Sequence, residues 1–175
     1  IAFIILSSIY WFYLSLNVKK LDFINFNFIL PFIFTLLLFI QICIGAFVSG
    51  MDAGKIYNSW PLMGSTYFPN DNSLVNLFHL SAFNDPSLVQ FIHRNLAYVI
   101  LIFYIYIFFK IYKNQLTGLM NIINLIGILL ILQIILGILT LFYNAHIVIA
   151  SIHQISSIIL VSSSIYFLYL NYNPK

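Results

Sequence analysis

Charge is what this sequence has least of. Seven Lys or Arg and four Asp or Glu serve 175 residues, 6% of the chain, where a soluble domain carries about a quarter. An ordinary water-facing surface is excluded, and most of the exterior must meet lipid. Cysteine is nearly missing too. The single Cys43 sits in an apolar run, where it reads as a small core residue; neither a disulfide framework nor a thiolate metal site can be built from it. The formal charge of +3 would point toward nucleic acid in a soluble protein. Here the basic residues stand at the ends of apolar runs, so they read as orientation signals and no nucleic-acid partner is expected. No charged leader precedes the apolar opening at Ile1, which argues against a signal peptide. The start without Met is expected of a chain that continues upstream.

What the chain does have is apolar length. Hydrophobic residues make up 62% and aromatics 18%; at about 20 residues per span there is room for five or six spans at most. Hydropathy marks five stretches, roughly 1–16, 26–50, 88–109, 119–142 and 147–170. The pattern predicts an all-α polytopic membrane protein of five transmembrane helices, the last four forming a four-helix bundle. Lys19 and Lys20 follow the first stretch, Lys110 and Lys113 the third, and Lys175 ends the chain, against Lys55 and Arg94 on the opposite side. That imbalance puts the first and third connections and the C-terminus inside. The long connection 51–87 is then external. Loops of this length are usually functional, as a lid on the bundle or as a substrate-facing surface. Leu74, Leu77, Phe78 and Leu80 have the spacing of a short interfacial helix over 73–83. Trp60, Tyr57 and Tyr67 read as interface anchors.

Asp85-Pro86 is a start signal for the third span, with Asp as N-cap and Pro at the first helical position. Asn144 is expected to cap the fifth in the same way. Counted from these caps, His93 and His153 both lie roughly 12 to 14 Å inside their helices. His79 falls in the external loop and His146 near the outer end of the fifth span, both interfacial in character.

The second and third spans read as a copy of the fourth and fifth. Gln41-Ile-Cys-Ile-Gly45 matches Gln133-Ile-Ile-Leu-Gly137, and Ile92-His93-Arg94 matches Ile152-His153-Gln154. Two such hairpins about a pseudo-two-fold axis along the membrane normal would bring the two histidines face to face. An ionisable side chain inside a span is a functional candidate by default, although one histidine alone can equally hydrogen-bond a neighbouring helix. Two at matched depth suit the axial positions of a heme iron, and zinc would want further ligands that are not at that depth. Ala97, Ser157, Gly45 and Gly137 leave room for a flat macrocycle, or simply let helices approach. Arg94 is placed to pair with a heme propionate or to reach lipid phosphate.

Three ordered motifs carry a family resemblance. Gly45-Ala-Phe-Val-Ser-Gly-Met-Asp-Ala-Gly-Lys-Ile-Tyr-Asn-Ser-Trp-Pro-Leu-Met-Gly64 resembles the helix-to-loop signature of heme A synthases of the mitochondrial and alphaproteobacterial type. Val89-Gln-Phe-Ile-His-Arg94 and Ala150-Ser-Ile-His-Gln154 resemble that family's histidine motifs. The resemblance implies eight helices in two four-helix halves. Residues 1–25 would then be the last helix of an N-terminal half plus an inner loop, and 26–175 the C-terminal heme-binding bundle. His93 and His153 would be the axial ligands of a heme b. The family converts heme O to heme A by hydroxylation of a methyl group, with the substrate heme in the N-terminal half. Implied surroundings are a bacterial or mitochondrial inner membrane, heme O as substrate, and an electron-transfer partner, heme O synthase or a second copy as associates. No catalytic residue is expected among these 175. A non-enzymatic bis-histidine cytochrome, or an assembly helper without cofactor, is the alternative.

Overall fold

The computed structural model describes residues 2–18 and 26–172. Five helices carry the chain: α1 (Ala2–Asn17), α2 (Ile29–Gly50), α3 (Pro86–Lys113), α4 (Thr117–Phe142) and α5 (Ile147–Leu170). They follow the five apolar stretches closely, and among the described residues there is no strand, only one isolated bridge between Met63 and Thr66. The protein is all-helical and polytopic. Helices α2 to α5 are each long and apolar enough to cross a membrane, while α1 is an apolar helix of 16 residues. Their outward faces are oily: Ile102, Ile128 and Ile147 are 67%, 67% and 76% exposed. In water such a surface would be an aggregation site; in a bilayer it is the solvated side. Cys43 belongs to that side. It is exposed, not a core residue as its apolar surroundings suggested, because the buried face of α2 is made by Leu30, Pro31, Phe34, Thr35, Leu38 and Ile44.

The helix ends explain where the chain turns. Asn27 starts α2 by accepting the Ile29 N–H at 2.9 Å. Asp85 starts α3 as expected, its Oδ1 accepting the N–H groups of Ser87 (3.0 Å) and Leu88 (3.1 Å). Asn144 does something other than expected. It sits in the left-handed region at φ 53° and closes α4, its N–H donating to Leu141 O while the Ala145 N–H donates to Thr140 O. This is the six-to-one and five-to-two bonding of a Schellman end, and α5 begins only at Ile147. Asparagine is favoured both before a helix and in the left-handed position after one, so the residue type was right and the helix wrong. His93 becomes the eighth residue of α3 and His153 the seventh of α5, a difference of about 1.5 Å in depth.

Two compact units are distinguished by their internal contacts, and α2 to α5 each contribute a segment to both. The first comprises residues 1–39, 100–131 and 156–175. Its core is Phe34, Ile107, Ile111, Leu119, Ile123, Ile126 and Phe167. There α1 is held to the end of α5 by Trp11, edge-on to Tyr169 and Tyr172 at 5.3 and 5.4 Å, and by the Tyr169 hydroxyl donating to Val18 O. Gly127 makes way for Tyr104, whose hydroxyl reaches Ile123 O at 3.1 Å; a Cβ at 127 would lie 2.1 Å from that oxygen. The basic residues Lys19, Lys20 and Lys175 fall outside the described residues. The second unit, residues 40–99 and 132–155, holds both histidines and the long loop.

In that loop the expected helix over 73–83 is replaced by two short 3-10 turns, Asn76–Phe78 and Leu80–Asn84. His79 separates them in an extended conformation. The cause lies at the ends. Asn72 donates to Asp85 Oδ2 (3.1 Å) and to Ser87 Oγ (2.8 Å), so the segment must return to where it began. A straight helix of that length would carry its ends about 16 Å apart. Leu74, Val75, Phe78 and Leu80 remain exposed.

Candidate heme site

Each histidine is seated by the Gln-x-x-x-Gly motif of its own hairpin. On α2, Gln41 lies one turn before Gly45, so both face the same side of the helix. The Gln41 amide nitrogen lies 3.4 Å from His93 Nε2 and donates to the His93 carbonyl at 3.1 Å. Gly45 lies against the same ring: a Cβ there would stand 3.2 Å from His93 Cε1. On α4 the arrangement repeats. His153 hydrogen-bonds the Gln133 backbone, and a Cβ on Gly137 would stand 3.5 Å from His153 Cε1. The glycine contact repeats in both hairpins, while the glutamine meets its histidine through the side chain on α2 and through the backbone on α4. Both imidazoles belong to the same compact unit.

A heme needs imidazole lone pairs and clearance beside the rings, and the residues present fit it. His93 Nδ1 is buried with no hydrogen-bond partner, as is Gln41 Oε1. Such orphaned atoms are rare in finished cores. The flanking glycines keep the edge of each ring clear. Among the described residues no group of three or more His, Cys, Asp or Glu that could hold a metal ion is gathered. His79 and His146 are both exposed and apart from this pair.

Arg94 goes neither to lipid nor to open space. It is 9% exposed, and its terminal nitrogens donate to the carbonyls of Ser59 (2.9 Å), Leu62 (3.4 Å) and Tyr57 (2.8 Å). Its Nε is buried and unpartnered. Gln90, one turn earlier and 2% exposed, donates to the same Tyr57 carbonyl at 3.0 Å. Trp60 Nε1 donates to the Tyr98 hydroxyl and Tyr67 donates to Asn95, so two of the aromatics expected as membrane anchors bind helix α3. Gln90, Asn95 and Tyr98 carried no signal in the sequence, since their partners lie 28 to 38 residues away. The Gln motif did carry one, in its repetition at a fixed offset from glycine.

The family model described as cytochrome oxidase assembly protein matches residues 1–165. A heme A synthase of Pelagibacter ubique (strain HTCC1062) is 41% identical over 174 residues, 99% of this chain and 51% of that protein. One of Rickettsia felis (strain ATCC VR-1525 / URRWXCal2) is 39% identical over 137 residues, covering 76% of this chain and 40% of that protein. Another, of Rickettsia rickettsii (strain Sheila Smith), is 38% identical over 148 residues, covering 82% and 44%. The chain spans about half the length of the curated relatives it matches, and no solved structure matches it. With nearly its whole length matched and its helices arranged as membrane spans, the chain belongs to the cytochrome oxidase assembly protein family.

Proposed function

We propose that this chain is the C-terminal, heme b-binding half of a heme A synthase, the enzyme that converts heme O to heme A by hydroxylating a methyl group. The observation that carries the reading is the doubled seat: two imidazoles in one compact unit, each packed on the glycine of a Gln-x-x-x-Gly motif, and one of them with an unpartnered ring nitrogen. When bound, a heme held by two imidazoles would supply one-electron transfer. The residues of this chain would hold and orient it. His93 and His153 would supply the ligating nitrogens, Gln41 would hold the His93 ring, and the Gln133 backbone would hold that of His153. The Arg94 Nε–H, buried and without a partner, would be a donor for a propionate. Heme O would be handled by the half of the enzyme that precedes this one, and the electron acceptor, heme O synthase and a second copy of the chain are the partners to test. The inner membrane is the location that follows from this role.

The test is a visible spectrum of the purified protein. We expect a Soret band and low-spin α and β bands that disappear in His93→Ala and in His153→Ala. A heme-free protein whose stability is unchanged by either substitution would remove the reading. In the full-length gene, His93→Ala should abolish heme A formation from heme O in cells; persistence of heme A would show this heme to be dispensable to the reaction.

A further inference from the structure

The external loop is fastened at two places, and they belong to different hairpins. At one, Arg94 and Gln90 of α3 grip the carbonyls of Tyr57, Ser59 and Leu62. At the other, Asn58 donates to Leu141 O, near the C-terminal end of α4, at 2.9 Å, and Gly54 packs where a Cβ would stand 3.4 Å from Ala145 Cβ. The strap between them is buried at Ala53, Gly54 and Met63. Helix α3 carries His93; α4 carries the Gln133 and Gly137 that seat His153. A guanidinium surrounded by backbone oxygens is a costly thing to bury unless its fork is used. Here both terminal nitrogens are used, all on one strap.

We propose that Arg94 is a positioning residue. It pins residues 53–64 as a strap across the two histidine-bearing hairpins and so fixes the spacing of the imidazole pair from the outer side. The strap itself needs no cofactor, and only its consequence for the imidazoles rests on the heme reading. The geometry needs a planar fork with donors in two directions. A lysine keeps the charge but offers a point donor on a flexible stem, so charge alone will not substitute.

The experiment uses the full chain in membranes, with Cys43→Ala removing the native thiol and Met63→Cys as reporter, since Met63 is a residue of the strap and only 1% exposed. Labelling by a membrane-impermeant maleimide is followed in heme-free protein. We expect slow labelling with Arg94 present and a rate about tenfold or more higher in both Arg94→Lys and Arg94→Met, as local opening becomes easier. Equal rates in all three, or rescue by lysine, would overturn the proposal. If neither variant accumulates, Asn58→Ala decides: it frees the other end of the strap without touching Arg94, and an unchanged rate there also overturns it. In heme-loaded protein, the low-spin ferric EPR signal, which reports the mutual orientation of the imidazole planes, should shift alike in Arg94→Lys and Arg94→Met. A signal unchanged from that of Arg94 would show the strap closing the loop without setting the pair, and would overturn the positioning role. A protein that takes up no heme at all, yet labels slowly with Arg94 and fast in both variants, would instead count against the heme reading alone.

Discussion

Asp85 spends one carboxylate on three tasks. Its Oδ1 caps α3, the same oxygen accepts the Ser87 hydroxyl at 2.8 Å, and Oδ2 accepts Asn72 and so fixes the return of the outer loop. Burial pushes its pKa up, but the hydrogen bonds from Leu88, Asn72 and Ser87 together outweigh it and hold the carboxyl below its ordinary value. The folded state therefore favours the ionised form. That contribution to stability is complete above the ordinary Asp range of about 3.9 and is lost as pH falls through it toward the lower folded value. Asp85→Asn keeps an acceptor at the cap and loses the titration. The melting temperature in detergent should fall less steeply between about pH 5 and 3 in Asp85→Asn than in the parent, and parallel curves would refute the assignment. Asp85→Ala, which loses the cap and strands Asn72, should cost about 1 to 2 kcal/mol. The two glycines beside the histidines make a second residue-scale contrast. A Cβ on Gly45 would crowd a His93 ring already held by Gln41, whereas 3.5 Å at Gly137 is ordinary contact. Gly45→Ala should reduce heme occupancy or shift its spectrum, while Gly137→Ala stays near the parent; equal effects would mean the rings are less firmly held than this.

At the scale of elements, helix α4 is fitted to α3 through a single missing side chain. Gly127→Ala would drive its Cβ into the Tyr104 hydroxyl and force that ring off its bond to Ile123 O, at a cost of about 1 to 3 kcal/mol. Removing the hydroxyl should relieve it. Tyr104→Phe combined with Gly127→Ala is expected to be more stable than Gly127→Ala alone, a coupling that a double-mutant cycle in thermal unfolding measures; strict additivity would contradict the contact. The elements also show which signals a sequence carries. Five apolar stretches and the Asp85-Pro86 start were legible because hydropathy and N-capping act within a few residues. Asn144 was legible as a helix boundary but not as to which helix it served. The segment 73–83 has helical spacing, yet its shape is set by Asn72 binding Asp85 and Ser87. The grip of Arg94 on Tyr57, Ser59 and Leu62 spans 32 to 37 residues and has no local trace at all.

The whole molecule must choose a direction in the bilayer, and few charges are there to choose it. Counting basic residues by position alone weighs Lys55 and Arg94 against the others. The structure changes their weights: Arg94 is buried on loop carbonyls, and Lys55 is paired with Asp52 at 2.7 Å. Neither is a free cation beside headgroups, although an exposed pair such as Lys55 with Asp52 is itself worth little. Lys110 and Lys113 in the last turn of α3 have no acidic partner among the described residues, and basic residues close to a span end are the ones that set orientation. The turn after α3 should therefore lie inside, and the strap, the loop 51–85 and the turn 143–146 outside. The check is sidedness in intact cells, in a Cys43→Ala background. Cysteine at the exposed Ser73 of the loop should react with an impermeant maleimide directly, and cysteine at the exposed Asn114 only after permeabilisation. Replacing Lys110 and Lys113 together by Ala should produce a mixed population at both sites if these two carry the signal. Direct labelling at Asn114 in the parent would place the histidine pair near the opposite surface, and the strap would face the interior of the cell.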